Sequence, residues 1–253
     1  MSNKVTALKE LLYKMADDQL ILGHRNSEWI GIGPVLEEDI AFGSLAQDKT
    51  GHAFNLYQLL ERMGENDPDT IAFRRAENEY KCCHLVELPI GDDYAFCLAR
   101  HFYFDHAESL RMEALSECAY PDLAGLARKF YSEIKYHVFH ANTWVKNLLM
   151  GTEESKARMT TALNDLLPYA LGIFEEGENE DALVDEKLFI GEKALKEKWI
   201  ERMSDWLKEY DVSLDFSVEP HLGGRKGYHT EHLKPLIDEM TEVVNLEGDT
   251  MEW

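Results

Sequence analysis

Residues 34–64 read PVLEEDIAFGSLAQDKTGHAFNLYQLLERMG, and this stretch decides the fold. Its opening proline suits the first turn of a helix, where the missing backbone N–H costs no hydrogen bond. The breaker Gly31-Ile32-Gly33 precedes it and Met63-Gly64 closes it. The stretch therefore predicts one helix of some 30 residues, which is about 45 Å long at ~1.5 Å per residue.

Further helices flank this stretch on both sides. Before it, Val5, Leu8, Leu12 and Met15 recur at spacings of three and four, which places them on one apolar face. Long helices joined by short turns are typical of a bundle. We therefore expect an all-α four-helix bundle with additional C-terminal helices, in a single domain spanning residues 1–253. The predicted helices beyond the first two cover residues 93–118, 122–150, 154–174 and 192–210, with a last one beginning near residue 230.

Two connecting regions are predicted to be irregular. In residues 66–92, Asp67-Pro68-Asp69 indicates a turn, and residues 84–91 indicate an extended segment. The acidic residues 175–186 indicate a solvated loop. Strand signals are nearly absent elsewhere, so neither region changes the predicted fold class.

The charge balance is strongly acidic, with 26 Lys and Arg against 48 Asp and Glu and a formal net charge of −22. Such a surface repels nucleic acid, whose binding depends on Lys and Arg neutralising phosphates. It disfavours anionic membranes equally. Solubility or a halophilic setting explains this charge in general terms, and a basic protein partner explains it more specifically.

Targeting and cysteine signals predict a cytoplasmic protein. The first 18 residues carry charges throughout and lack the apolar segment of a signal peptide. No stretch approaches the ~18 to 20 apolar residues that span a bilayer. Because no CxxC occurs, we expect neither disulfides nor a zinc site. The cysteines are Cys82, Cys83, Cys97 and Cys118.

Four carboxylates follow the layout of ferritin-like di-iron proteins, which place a Glu on one helix and Glu-x-x-His on the next, twice. Asp17 lies 31 residues before Asp48, and Asp105 lies 28 residues before Glu133. The positions three residues further on, where histidine is needed, hold Gly51 and Tyr136 respectively. Neither can replace an imidazole, so we interpret these six residues as the remnant of a degenerate metal site.

Two histidines leave an alternative open. His52 follows Asp48 by four residues, and His137 follows Glu133 by four. A separation of four also keeps two side chains on one helical face. With Asp17 and Asp105, these pairs could form a shifted metal site, which would make the chain a metal-binding ferritin-like oxidoreductase in its own right.

The competing interpretation assigns Asp48 and Glu133 to structural ion pairs. Buried charges persist only when they are paired and hydrogen-bonded. Lys14, Arg100 and Lys135 are the candidate partners, together with tyrosines. The remaining histidine and aromatic signals are more typical of a packed core than of a site; they are His101, His106, Trp29, Phe54, Tyr57, Phe102, Tyr103 and Phe104.

Residues 221–240 read HLGGRKGYHTEHLKPLIDEM and contain a glycine-rich basic segment, residues 223–227. We expect a flexible loop around Arg225 and Lys226 that could hold an anion, dock on a partner or form a plain surface turn. With this loop as an anchor, a binding or storage protein is a third functional hypothesis. Thr230 is the predicted N-cap of the last helix.

This segment resembles the C-subunit family of bacterial phenylacetyl-CoA epoxidases, and the resemblance covers nearly the whole chain. Ala76 and Ile90 depart from it, where Asp and Asn are expected. The other matching motifs, in the family's order, are Glu28-Trp29, residues 34–41, Asp48-Lys49-Thr50-Gly51, residues 73–77, residues 86–91, Ala99-Arg100, Asp105, Tyr136-His137 and Trp253.

The resemblance implies a non-catalytic subunit without a cofactor or metal of its own. In that family a homologous A subunit binds the di-iron centre and the thioester, and a B subunit and a flavin/iron–sulfur reductase complete the system. The complex uses NADPH and oxygen to epoxidise the aromatic ring of phenylacetyl-CoA. A homodimer of the isolated chain is a further expectation.

Overall fold

A computed structural model describes residues 3–91 and 93–247. These residues form helices and no strand, which confirms the predicted all-α, ferritin-like four-helix bundle with additional C-terminal helices. The helices are α1 Asn3–Ser27, α2 Leu36–Arg62, α3 Pro68–Phe73, α4 His84–Glu87, α5 Tyr94–Leu115, α6 Pro121–Leu149, α7 Glu153–Leu171, α8 Glu180–Asp185, α9 Glu192–Lys208, α10 Leu233–Met240 and α11 Glu242–Glu247.

The four long helices α1, α2, α5 and α6 build the bundle, with α1 packed along α2 and α5 along α6. Helix α7 packs against α5 and α6, and α9 covers α5. Among the predicted core aromatics, Phe54 is the exception, because its side chain is 47% exposed. His101 and His106 are buried as predicted.

Helix α2 begins two residues after Pro34, and its first turn carries Glu37, Glu38 and Asp39. Acidic side chains there stabilise the positive end of the helix dipole. The helix ends before Gly64, whose φ of +90° is a conformation that glycine adopts at little cost. The predicted boundaries are therefore met within two residues.

The two regions predicted to be irregular contain helices, so these predictions were wrong. Asp67 caps α3 by accepting a hydrogen bond from the Thr70 backbone N–H at 3.0 Å, and α4 occupies half of the segment expected to be extended. In residues 175–186, Glu175 and Glu180 are buried. Each accepts a backbone hydrogen bond from another segment, and local sequence does not reveal such a contact.

Helix α10, which corresponds to the predicted last helix, begins at Leu233, three residues after Thr230. The Thr230 side chain is engaged elsewhere, because its hydroxyl and backbone N–H both donate to Glu87 at 2.7 Å. Trp253, which carried part of the family resemblance, lies outside the described residues. No helix in the described part of the chain combines the length and hydropathy that crossing a membrane requires.

Candidate functional site

Four of the six predicted remnant positions point away from the bundle interior, whereas Asp17 and Asp105 are buried. The side chain of Tyr136 is 54% exposed, and those of Asp48 and Glu133 are 41% and 36% exposed. A Cβ atom on Gly51 would meet no atom within 4 Å. The prediction that these four residues line a degenerate internal site is therefore wrong in its register.

The residues that do point inward lie one position further along each helix. On α2 they are Lys49 and His52, which are 1% and 2% exposed, and on α6 they are Ile134 and His137, which are 1% and 0% exposed. Each pair is separated by three residues, the spacing of Glu-x-x-His in a di-iron bundle. Both imidazoles of the pattern are thus present, at the two histidines named as alternative ligands and not at Gly51 and Tyr136. Lysine and isoleucine stand where the pattern requires carboxylates.

These side chains meet in what we call the central cluster, formed by Lys49, His52, Asp105 and His137. The Lys49 ammonium donates to Asp105 Oδ1 at 2.7 Å, and His137 Nδ1 lies 4.0 Å from the same oxygen. The His52 and His137 rings are 6.3 Å apart between centroids. The Phe104 ring covers the ammonium, 4.9 Å from its centroid. The cluster is a closed, charge-paired centre.

Electrostatics fix the charge states of the central cluster. Burial raises the pKa of Asp105, but the Lys49 ammonium and His101 together hold that pKa well below its usual range. Burial, assisted by Lys49 and His137, lowers the pKa of His52 to about 3. Asp105 is therefore ionised at neutral pH and His52 is uncharged. The permanent positive charge in the cluster belongs to lysine.

The exposed carboxylates pair across the α2–α6 seam with the inward histidines. His52 Nε2 lies 2.6 Å from Glu133, and His137 Nε2 lies 3.0 Å from Asp48. These contacts orient both rings, and within the described structure the Nδ1 atoms of both have no hydrogen-bond partner. The hydrogen bond from His137 lowers the pKa of Asp48, whereas burial raises that of Glu133.

Asp17 lies apart from the central cluster, fully buried on α1. Arg75 binds both of its carboxylate oxygens, at 2.5 and 3.0 Å. The Tyr57 hydroxyl donates at 2.6 Å and the Lys81 backbone N–H at 2.7 Å. Four donors therefore saturate this carboxylate. The structure does not bring it together with Asp48, Asp105 or Glu133.

The predicted cationic partners of the carboxylates were wrong. Lys14 binds Glu192 at 2.5 Å, and Arg100 donates to the Leu88 carbonyl at 2.5 Å. Lys135 lies over the Tyr131 ring, 4.4 Å from its centroid. Sequence proximity misled here, because the pairing depends on which helix faces which.

The basic segment 223–227 is also not what its sequence predicted. Arg225 is 8% exposed and binds both oxygens of Asp18, at 2.7 and 2.8 Å. A Cβ atom on Gly224 would lie 2.2 Å from the Cys82 carbonyl oxygen, so glycine is needed for close packing. The segment is therefore fixed against the bundle, and of its two basic residues only Lys226 remains exposed.

A sequence signal for the central cluster existed. Phe42, Leu45, Lys49, His52 and Leu56 follow one another at spacings of three and four, so they share one stripe of α2. A lysine and a histidine on an otherwise apolar stripe are candidate buried polar residues. The prediction, which started from the carboxylates, passed over Lys49 and named His52 only as an alternative ligand.

The central cluster does not fit a dinuclear iron centre. Such a centre takes four carboxylates and two imidazoles. Here Asp105 is the one carboxylate in the cluster, and a lysine ammonium already binds it. Ile134 offers no ligand atom. That this chain holds no iron remains a prediction, supported by this chemistry of the donors.

Comparison with known proteins agrees with the resemblance drawn from the motifs. The family described as "Phenylacetic acid catabolic protein" matches residues 1–253. The C subunit of the 1,2-phenylacetyl-CoA epoxidase from Escherichia coli (strain K12) is 32% identical over 228 residues, which cover 90% of this chain and 92% of that protein.

Proposed function

The chain belongs to the phenylacetic acid catabolic protein family, and on that premise we propose that it is the non-catalytic C subunit of a multicomponent di-iron oxygenase. The complex epoxidises the aromatic ring of phenylacetyl-CoA in phenylacetate catabolism, in the cytoplasm. A homologous catalytic A subunit holds the di-iron centre and the thioester, and a B subunit and a reductase complete the system. This chain contributes no cofactor to the reaction.

The observation that carries the proposal is the ion pair between Lys49 and Asp105. Lys49 precedes His52 by three residues, so its ammonium takes the place of a carboxylate in the ligand pattern. A fixed positive charge repels a dication from this position and consumes the remaining carboxylate. On the opposite helix Ile134 removes a second ligand. The bundle thus keeps a polar interior in which lysine supplies the charge that metal supplies elsewhere.

A partner-binding role is supported by an exposed apolar segment at the start of α2. Soluble monomers rarely expose contiguous apolar patches larger than a few hundred Å². We name this segment the 30–40 face. We assign it to the contact with the catalytic subunit. Its exposed members are Ile30, Ile32, Val35, Leu36 and Ile40, with exposures of 58%, 61%, 45%, 69% and 62%.

Co-expression with the catalytic A subunit of the same epoxidase system tests the proposal. We expect a stable complex whose epoxidation of phenylacetyl-CoA needs both chains. The variant Ile40→Glu should weaken co-purification, because it places a charge in the apolar contact. Val184→Glu, which charges an apolar side chain 43% exposed on α8, is the matched control and should leave the complex intact. Failure of the wild-type chains to associate would exclude the proposal.

The second hypothesis, a metalloenzyme in its own right, is not favoured by the comparisons. It predicts iron bound by His52 and His137, so iron analysis of the purified chain separates the two functions. The third hypothesis needed an accessible basic loop as its anchor. Because Arg225 is buried against Asp18, that anchor is absent.

A further inference from the structure

We propose that Cys82, Glu87 and His229 form a binding site for a single Zn²⁺ ion, separate from the central cluster. The Cys82 Sγ atom lies 3.7 Å from Glu87 Oε1 and 3.9 Å from His229 Nδ1. Glu87 Oε1 and His229 Nδ1 are 2.7 Å apart. Within the described residues this is the one group of three such donors whose ligand atoms all lie within 4.8 Å of one another.

Two sides of the triangle of donor atoms are close to those of tetrahedral zinc, and the third, between Glu87 and His229, is shorter. With Zn–S near ~2.3 Å and Zn–N or Zn–O near ~2.0 Å, tetrahedral geometry separates sulfur from nitrogen or oxygen by about 3.5 Å. The same geometry separates nitrogen from oxygen by about 3.3 Å. A slight opening between Glu87 and His229 therefore admits the ion. The thiol and the carboxylate of the site are fully buried, and the imidazole is 1% exposed.

Hydrogen-bond accounting also indicates a cation between these residues. His229 Nε2 lies 3.1 Å from the Tyr80 carbonyl oxygen, which can only accept, so Nε2 carries the hydrogen. In a neutral ring the lone pair of Nδ1 then faces Glu87 Oε1, a second acceptor. Either a metal ion between the two atoms or a second proton on the ring, which makes the contact an ion pair, resolves this opposition. Histidines that ligate metals commonly donate their other N–H to a backbone carbonyl in this way.

The second oxygen of Glu87 is held independently of the proposed ion. Thr230 donates to Oε2 from both its backbone N–H and its hydroxyl, each at 2.7 Å. This contact orients the carboxylate so that Oε1 faces the donors of Cys82 and His229. A thiolate and a carboxylate carry two negative charges, which a dication balances. Three protein donors leave the fourth tetrahedral position to solvent.

The site would fasten the C-terminal segment to the bundle. Glu87 and His229 are 142 residues apart in sequence, and Arg25 already links the same two segments by donating to the carbonyls of Glu87 and His232. His229 also lines a surface cleft of about 810 Å³. Because its donors are scattered along the chain, the site has no CxxC signature, and the sequence predicted none.

Cobalt substitution tests the site on the full-length chain. The chain is first freed of metal with a chelator, dialysed and then titrated with Zn²⁺ or Co²⁺. We expect one ion bound per chain and, with Co²⁺, a thiolate-to-cobalt charge-transfer band. Cys82→Ser should abolish the band, and His229→Gln should weaken binding at least ~10-fold. Cys83→Ser is the matched control, because Cys83 is equally buried but lies outside the cluster, and it should bind as the wild type does.

Substoichiometric binding by the wild-type chain would overturn the proposal, and the contact between His229 and Glu87 would then serve only to hold the two segments together. Retention of the band in Cys82→Ser would overturn it as well. Should that variant fail to fold, the binding stoichiometry of the wild type, with Cys83→Ser as the control, still tests the proposal. The outcome is independent of the proposed function, since Zn²⁺ here takes no part in epoxidation and subunit association is measured separately.

Discussion

The central cluster and the C-terminal clasp both bury a carboxylate beside an imidazole, but they neutralise it differently. In the central cluster the Asp105 carboxylate binds a lysine ammonium at 2.7 Å. In the clasp, which comprises Cys82, Glu87, His229 and Thr230, the Glu87 carboxylate is held by hydrogen bonds and faces a thiol. In the central cluster the lysine ammonium occupies the place that a metal ion would take. In the clasp a thiol, a carboxylate and an imidazole provide donor atoms that can bind one.

Under the two proposals, this difference lets one chain give up one metal position and keep another. On that proposal, lysine in place of a ligand supplies positive charge within the bundle in the absence of iron. Buried ion pairs of this kind are weak evidence for net stability. Removing one partner of such a pair, however, leaves the other charge buried and unpaired, which lowers stability. Substitutions in the central cluster and in the clasp should therefore change the free energy of unfolding by different amounts.

The largest effect is expected for Lys49→Met, which leaves Asp105 buried without its cation. Removing one partner of a buried pair typically costs about 3–5 kcal/mol. The free energy of unfolding, measured by urea denaturation, should fall by that amount. The double variant Lys49→Met with Asp105→Asn removes both charges and should recover much of the loss. An equal loss in both variants would show that the ion pair is not the cause.

A smaller effect is expected in the clasp for Thr230→Val, which removes one of the donors to Glu87. Hydrogen bonds to charged groups contribute about 1.5–3 kcal/mol, and Glu87 keeps its other donors. Urea denaturation in the presence of chelator should place the loss in this range. Thr161→Val on α7, where the residue is exposed, is the control and should unfold like the wild type. A loss exceeding that of Lys49→Met would reverse the comparison.

The third effect is acid sensitivity of the central cluster. The pKa of His52 falls from 6.5 to about 3 on folding because of burial, so the unfolded chain binds the proton more readily. Stability contributed by neutral His52 is complete above pH 6.5 and is lost as the pH falls toward 3. At pH 5.5 the loss is about 1.4 kcal/mol. His52→Gln should flatten the pH dependence of unfolding; an unchanged slope would contradict this assignment.

How far the sequence predicts the molecule depends on how local the information is. The long helices follow from apolar spacing within each segment, as in α2 from Leu36 to Arg62. The predicted site residues on α2 and α6 were wrong by one position along each helix. On α2, for example, Asp48 and Lys49 are neighbours in sequence but point to different sides of the helix. The stripe through Leu45, Lys49 and His52 contained the right register.

The contacts of the C-terminal segment, residues 223–232, could not be predicted from the sequence for a different reason. Arg225 reaches Asp18 across 207 residues, and His229 reaches Glu87 across 142. No periodicity or spacing rule joins positions so far apart. The family signature at residues 223–232 marked the segment as distinctive without indicating that it packs inward.

Iron loading of the purified full-length chain tests most directly the claim that lysine has replaced the metal in the bundle. The chain is incubated anaerobically with ferrous iron, desalted and analysed for bound metal. We predict no stoichiometric iron at the central cluster, and any single ion retained should be lost in Cys82→Ser. About two irons per chain, lost on His52→Ala or His137→Ala, would contradict the account.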